Sequence, residues 1–176
     1  MHFELTREFI ENLKNVIDKK DENNAKLLIK ELHAADIAEI YDELEDDEVK
    51  FLSQILDGEI SADVLAELED EERERFLENV PSEVLANKFI QNMDTDDAAD
   101  VLADLEDEKK DEVLSLMQDV EHAGDIVDLL NYEEDTAGGL MAKEYVQVNE
   151  NWTVSTCIEE IRKQAEDVNE IYFVYV

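Results

Sequence analysis

The residues best suited to chemistry lie in one stretch, Asp94-Thr95-Asp96-Asp97-Ala98-Ala99-Asp100-Val101-Leu102-Ala103-Asp104-Leu105. Asp96 and Asp100 stand four apart, so both carboxylates share one face of a helix. Val101, Leu102 and Leu105 fall on another face at helical spacing. Carboxylates paired in this way suit a hard cation, which takes oxygen ligands and keeps part of its water. They equally suit a first helical turn, where acids oppose the positive end of the helix dipole. Asp100, and Asp63 in Ser61-Ala62-Asp63-Val64-Leu65, precede inward apolar pairs and also fit the pattern of solvated flanks. Asp36 occupies a different slot and reads as a helix-flank acid.

The whole chain is acidic. Its 176 residues carry 50 acids against 15 bases, a formal charge of -35. Nucleic acid and anionic membrane surfaces both need a basic face and are not expected partners. Cations, basic proteins and simple solubility remain. The single cysteine, Cys157, excludes an intrachain disulfide, and its place beside Ile158 and Ile161 reads as a buried structural thiol. His2, His33 and His122 lack a metal-ligand spacing. His33 reads as a helix-start residue. The Asp-x-Asp runs lack the glycine and spacing of a calcium loop. Without a nucleophile–base set or a phosphate loop, an enzyme is not expected. The N-terminus has no signal-peptide run, and no window approaches the 18 apolar residues of a membrane span. The chain reads as soluble and intracellular in style.

The elements that must position the acids come from a repeat. Residues 3–18 read as an amphipathic helix, with Phe9, Ile10, Leu13, Val16 and Ile17 at spacings of three and four. Residues 19–24 read as a polar break, and 25–32 as a helix with Leu27, Leu28 and Leu32 inward. Leu32, Leu44, Leu56, Leu68 and Val80 then recur every 12 residues, Met93 follows after 13, and Leu105 and Met117 after 12 each. Apolar pairs precede the anchors: Ile40-Tyr41, Val64-Leu65, Phe76-Leu77, Val101-Leu102 and Val113-Leu114. Such a triplet is the inward stripe of a short helix. Acids after each anchor serve as caps and first-turn residues of the next helix. Helices this short are marginal alone and must stack, which reads as an α-solenoid. After Leu130 the pattern changes. Residues 131–141 hold two of the four glycines and read as a joint. Tyr145 to Val148 alternates like a strand, Thr153 caps a helix through Cys157 and Ile161, and residues 169–176 form a second β-prone run. A β-α-β unit that stops on its second strand implies a fragment of a longer protein.

Leu32-His33-Ala34-Ala35-Asp36-Ile37-Ala38-Glu39, the acidic repeat and Tyr132-Glu133-Glu134-Asp135-Thr136-Ala137-Gly138-Gly139-Leu140-Met141 resemble the cytosolic part of MgtE-type magnesium channels. The run from Glu144 through Trp152-Thr153-Val154 to Ile171-Tyr172-Phe173-Val174-Tyr175-Val176 is similar to the opening of that family's first CBS domain. The resemblance implies a mainly α fold: a right-handed superhelix over residues 1–131, then a linker and the first β-α-β piece of a truncated CBS domain over 132–176. It implies a Mg²⁺ sensor on the cytoplasmic side of a bacterial inner membrane. There Mg²⁺ bridges superhelix acids to a CBS pair and a connecting helix, closing a transmembrane pore. It implies a homodimer in the full-length protein. The ligand positions it carries over are Asp63, where the family often has Glu, with Asp96 and Asp100. Ala34 and Ala142-Lys143 stand where the family commonly has Pro and Thr-Pro, and no nucleotide site is assigned. Trp152 and the terminal aromatics read as CBS core. The competing expectation is an acidic α-solenoid scaffold, like those of flagellar motor switch proteins, that binds a basic partner without sensing metal.

Overall fold

The computed structural model describes residues 5–133, 136–165, 168 and 171–176. The first helix, α1 (Arg7–Asp18), starts later than the periodicity suggests, because the Thr6 hydroxyl accepts from the Phe9 N–H and sets the boundary. Phe3, Glu4 and His2 lie outside the described residues. Helix α2 (Glu22–Ile29) starts inside the expected polar break, since Asp21 caps it through the Asn24 N–H. Its inward stripe is therefore Ala25, Leu28, Ile29 and Leu32 at i, i+3, i+4 and i+7, and Leu27 is 69% exposed.

From there the repeat is realised helix by helix: α3 (Ala34–Asp42), α4 (Asp46–Ile55), α5 (Gly58–Ala66) and α6 (Asp70–Asn79). Next come α7 (Ser82–Val84) with the turns that continue it, then α8 (Thr95–Ala103), α9 (Asp107–Leu116) and α10 (Val120–Leu129). The anchors sit at helix ends. Leu56, Val80, Met93 and Met117 are C-cap residues in extended backbone. Leu44, Leu68 and Leu105 follow helical C-caps at Glu43, Glu67 and Asp104. Both members of the apolar pairs are buried in α3, α5 and α8, whereas α6 and α9 bury only Leu77 and Val113 fully. Three of these five helices thus face inward on both pair positions, and two lie outside with one.

The single 13-residue interval has a physical cause. Between Val80 and Met93 the chain runs from α7 through a π turn, Leu85–Phe89, into a 3₁₀ turn, Ile90–Asn92. A wider i→i+5 turn absorbs one extra residue without unpairing the helix. Packing runs from α3 to α5, α5 to α8 and α8 to α10, so each inner helix rests on the next. One continuous apolar cluster from Ile10 to Leu129 fills the stack. The protein is a mainly α superhelix with a small two-stranded sheet at its C-terminal end.

The joint carries Gly138 against the Tyr132 ring, where a Cβ would collide with the ring carbons. Beyond it, β1 (Val146–Gln147), α11 (Val154–Gln164) and β2 (Val174–Tyr175) form a β-α-β unit with parallel strands paired Val146 to Val174. Thr153 caps α11 through the Thr156 N–H. The aromatics expected in a core are exposed instead: Trp152 at 42%, Phe173 at 75%. Cys157 is half-buried rather than buried, because α11 covers strand β1 with little of its own apolar face. No helix of the described residues is long and apolar enough to cross a membrane.

Candidate functional site

Three inner helices converge where the sequence placed its acids. The N-terminus of α3, the C-terminal half of α5 and the first turn of α8 surround an open depression of about 340 Å³. Its walls are His33, Ala34, Ala35, Asp63, Ala66, Glu67 and Asp97. Each side chain is there for a local reason. Asp63 sits on the solvent side of α5 because Val64 and Leu65 turn inward at 1% exposure each. Asp97 lies in the first turn of α8 just before Ala98, whose full burial brings α8 close to its neighbours. His33 is the N-cap residue of α3, and its N–H donates to the Asp36 carboxylate at 3.2 Å. Asp36 is therefore a capping residue, as its slot in the repeat implies.

Asp63 and Asp97 share the depression. Asp96, half-buried, and Asp100, exposed, stand on the same short helix as Asp97 but do not line it. Among the described residues no three His, Cys, Asp or Glu side chains converge as a closed metal cage. The electrostatics nevertheless single the region out. Burial, and then the charges of Asp96, Asp94, Asp100 and Asp63, push the Asp97 carboxyl up to about 6. Burial, with Glu59 and Glu67 one turn away on either side, also raises Asp63. These acids oppose one another, and a cation among them would relieve the opposition.

Sequence reasoning missed Asp97, whose importance comes from packing α5 against α8. It also missed the clamp behind the site. The Glu144 carboxylate accepts from the Thr95 N–H at 3.0 Å and from the Thr95 hydroxyl at 2.8 Å. The Lys143 N–H donates to the same hydroxyl at 3.0 Å. The Lys143 ammonium reaches Asp128 at 2.9 Å and Asp125 at 3.1 Å on α10. These carboxylates hold that ammonium charged, Asp128 first. Glu144 thus caps the start of the acid-bearing helix from 49 residues away in sequence. The only sequence signal for it was an acid just before strand β1.

An acidic superhelix of short helices runs into a β-α-β unit, with carboxylates gathered on its inner helices, and this combination defines the class of the chain. Its family is explicit in the comparisons. Residues 32–135 match the model of the MgtE intracellular N domain, and the chain belongs to that family. The magnesium transporter MgtE of Enterococcus faecalis is 43% identical over 56 residues, 32% of this chain and 12% of that protein. The magnesium transporter MgtE of Thermus thermophilus is 46% identical over 52 residues, 30% of this chain and 12% of that protein. The matched stretches are thus a small part of each relative. Among solved structures, the soluble part of a magnesium transporter superposes with a TM-score of 0.83 at 30% identity, covering 96% of this chain and 66% of that one. The cytosolic domain of the Mg²⁺ channel MgtE in complex with ATP gives 0.84 at 30%, covering 95% and 68%.

Proposed function

We propose that the chain is the Mg²⁺-sensing cytosolic region of a magnesium channel or transporter, and that Asp63, Asp96 and Asp100 supply carboxylates to the ions it senses. The observation that carries this reading is the crowding of acids on α5 and α8, expressed in the raised Asp97 carboxyl. The donor chemistry fits the ion. Mg²⁺ takes oxygen ligands, keeps several waters and is commonly held by one or two carboxylates. An open depression with Asp63 and Asp97 on its wall leaves room for that hydration shell.

On this reading the superhelix, residues 1–131, offers half of each site, and acids of a CBS pair and connecting helix offer the other half. Residues 132–176 form the linker and the start of the first CBS domain, in a protein that works as a homodimer around a transmembrane pore. Low Mg²⁺ leaves the acids repelling and the assembly loose. High Mg²⁺ bridges them and favours the closed state by the difference in its affinity for the two states.

The test is thermal melting in MgCl₂ against NaCl at matched ionic strength, for wild type and the Asp63/Asp96/Asp100→Asn triple variant. Stabilisation by Mg²⁺ in wild type that disappears in the variant supports the sensor. If neither this chain nor one extended through the whole CBS pair shows a Mg²⁺-specific effect, the acids are a solvated face. The scaffold for a basic partner then becomes the better reading.

A further inference from the structure

A second cavity lies away from the acids just described and is of a different character. It has a volume of about 500 Å³, within the range that encloses small organic ligands. Three parts of the superhelix build it: α4 with Tyr41 of α3, the outer helix α6, and the segment from Val80 through the π turn to Phe89. Its apolar wall includes Val49, Phe76, Val84 and Phe89, and the Phe76 and Phe89 rings meet edge to face at 5.3 Å.

Three observations point to an occupant. The first is Tyr41, which is 96% buried, since only 4% of its surface is exposed, and forms part of the wall. Its hydroxyl has no hydrogen-bond partner among the described residues. Among the described residues only Ser61 Oγ is shut off from solvent without a partner, so the Tyr41 oxygen keeps access to the cavity that its side chain lines and can bond what enters there. The second is the π turn. The one extra residue in the repeat falls in this wall and places Lys88 and Phe89 there. Insertions of this kind recur at functional sites. The third is charge. The lining carries Lys50, Arg75 and Lys88 against Asp46, Asp47 and Glu72, an even balance in a chain with 50 acids and 15 bases. Lys88 spends its ammonium on the carbonyls of Leu56 and Gln54 at 2.8 and 3.2 Å, and Arg75 lies 3.5 Å from Asp46. The Lys50 ammonium has no partner among the described residues and is exposed at the rim.

We propose that this cavity is a binding site for a small amphiphilic organic anion. Its apolar body lies among Val49, Phe76, Val84 and Phe89, a polar atom meets the Tyr41 hydroxyl, and its acidic group faces Lys50 and Arg75. The site is separate from the proposed cation site and does not depend on Mg²⁺ sensing. A ligand there ties α4 to α6 and the π turn, and stabilises the superhelix by an amount that grows with the logarithm of its concentration over its Kd.

The probes are 1-anilinonaphthalene-8-sulfonate, an aromatic body with one anionic group, and its uncharged relative N-phenyl-1-naphthylamine. Both are titrated by fluorescence and calorimetry against the 176-residue chain and three variants: Val84→Trp, Arg75→Gln and Tyr41→Phe. Val84 is 42% exposed, so the larger ring fills the cavity from its mouth without entering the core. Expected results are saturable binding of one equivalent of the sulfonate and its loss in Val84→Trp with the melting temperature kept. Arg75→Gln is expected to weaken the sulfonate about tenfold, as befits a lost hydrogen bond to a charged group, and to leave the neutral probe unchanged. Tyr41→Phe is expected to weaken the sulfonate at unchanged melting temperature. Binding that survives Val84→Trp, or that involves several equivalents, places the probe on the exposed aromatics of the C-terminal unit and overturns the site. Equal binding of both probes with no effect of Arg75→Gln overturns the anionic ligand.

Discussion

The superhelix and the β-α-β unit treat their apolar residues in opposite ways. From Ile10 to Leu129 the apolar stripes close on one another, and Leu13, Ile40, Leu52, Leu85, Ile90, Leu102 and Ile126 have no solvent exposure. From Trp152 to Val176 no side chain among the described residues is buried, and Val154, Tyr172 and Phe173 are about three-quarters exposed. Composition does not separate the two regions, since each is rich in apolar residues. Geometry does. Helices α3, α5, α8 and α10 rest on one another in series, whereas two strands and one helix make a single layer with little cover among the described residues. A sheet needs a third strand or a packed partner before its face is worth burying. Stability therefore resides in the superhelix, and the C-terminal unit presents a surface.

The sharpest break of that comparison is a truncation in an inner helix. Leu65, at 1% exposure on α5, packs where α3, α5 and α8 meet. Leu65→Ala is expected to cost about 2–5 kcal/mol, the transfer term plus the cavity left behind. A urea titration followed by circular dichroism measures it. A loss under 1 kcal/mol would mean that the stack yields locally and that stability is not shared along the superhelix.

Next in size is the joint, which belongs to both regions. Glu144 makes two charge-assisted hydrogen bonds to Thr95, itself 1% exposed. Glu144→Ala leaves that N–H and hydroxyl without their carboxylate, at a cost of about 1–3 kcal/mol. Limited proteolysis is the more telling readout. Cleavage near residues 141–145 should speed up while cleavage within α3 to α6 stays slow. Equal acceleration everywhere would mean that the clamp supports the whole fold and not the joint alone.

Smaller again is the effect of relieving the acids. In an unfolded chain a carboxyl titrates near 4, whereas folding pushes Asp97 up to about 6, by burial first and then by its aspartate neighbours. The folded state thus holds the proton more tightly. The stability this confers is complete below about pH 4 and is lost as pH rises through about 6. Asp97→Asn removes the charge that causes the loss. Because Asp97 is exposed to solvent screening, the expected gain at pH 7 is only about 1 kcal/mol. The gain should shrink toward zero by pH 4. Melting curves of both proteins across pH 4 to 7.5 measure it, and a gain that does not depend on pH would assign the effect to helix propensity instead.

These effects differ in how far the sequence announces them. The 12-residue period and its inward pairs are visible because burial in a short helix depends on spacing alone, and α3, α5 and α8 follow it. The 13-residue interval is equally visible, but its resolution as a π turn is not, since a kink or a longer loop would satisfy the same count. The phase of α2 depends on which polar residue caps it, and Asp21 rather than Asn24 decides that. The acids split in the same way. That Asp96 and Asp100 share a face follows from their spacing. That Asp97 and Asp63 feel each other follows only from α5 lying against α8. Glu144 needs a contact spanning 49 residues, which no local pattern encodes.

The smallest expected effect tests the exposed side of the comparison. Ile158 lies on α11 at 45% exposure, next to the half-buried Cys157. Ile158→Ala gives up part of an apolar contact and gains helix propensity, two terms of a few tenths of a kcal/mol with opposite signs. The net change should stay within about 0.5 kcal/mol, in contrast to Leu65→Ala on a residue of the same size class. The measurement is the urea midpoint at two protein concentrations a hundredfold apart. A loss above 2 kcal/mol that appears only at the higher concentration would show that a second copy covers this face, turning the exposed region into an interface. A loss of that size at both concentrations would show that the C-terminal unit folds back on the superhelix in solution, and the contrast between the two regions would fail.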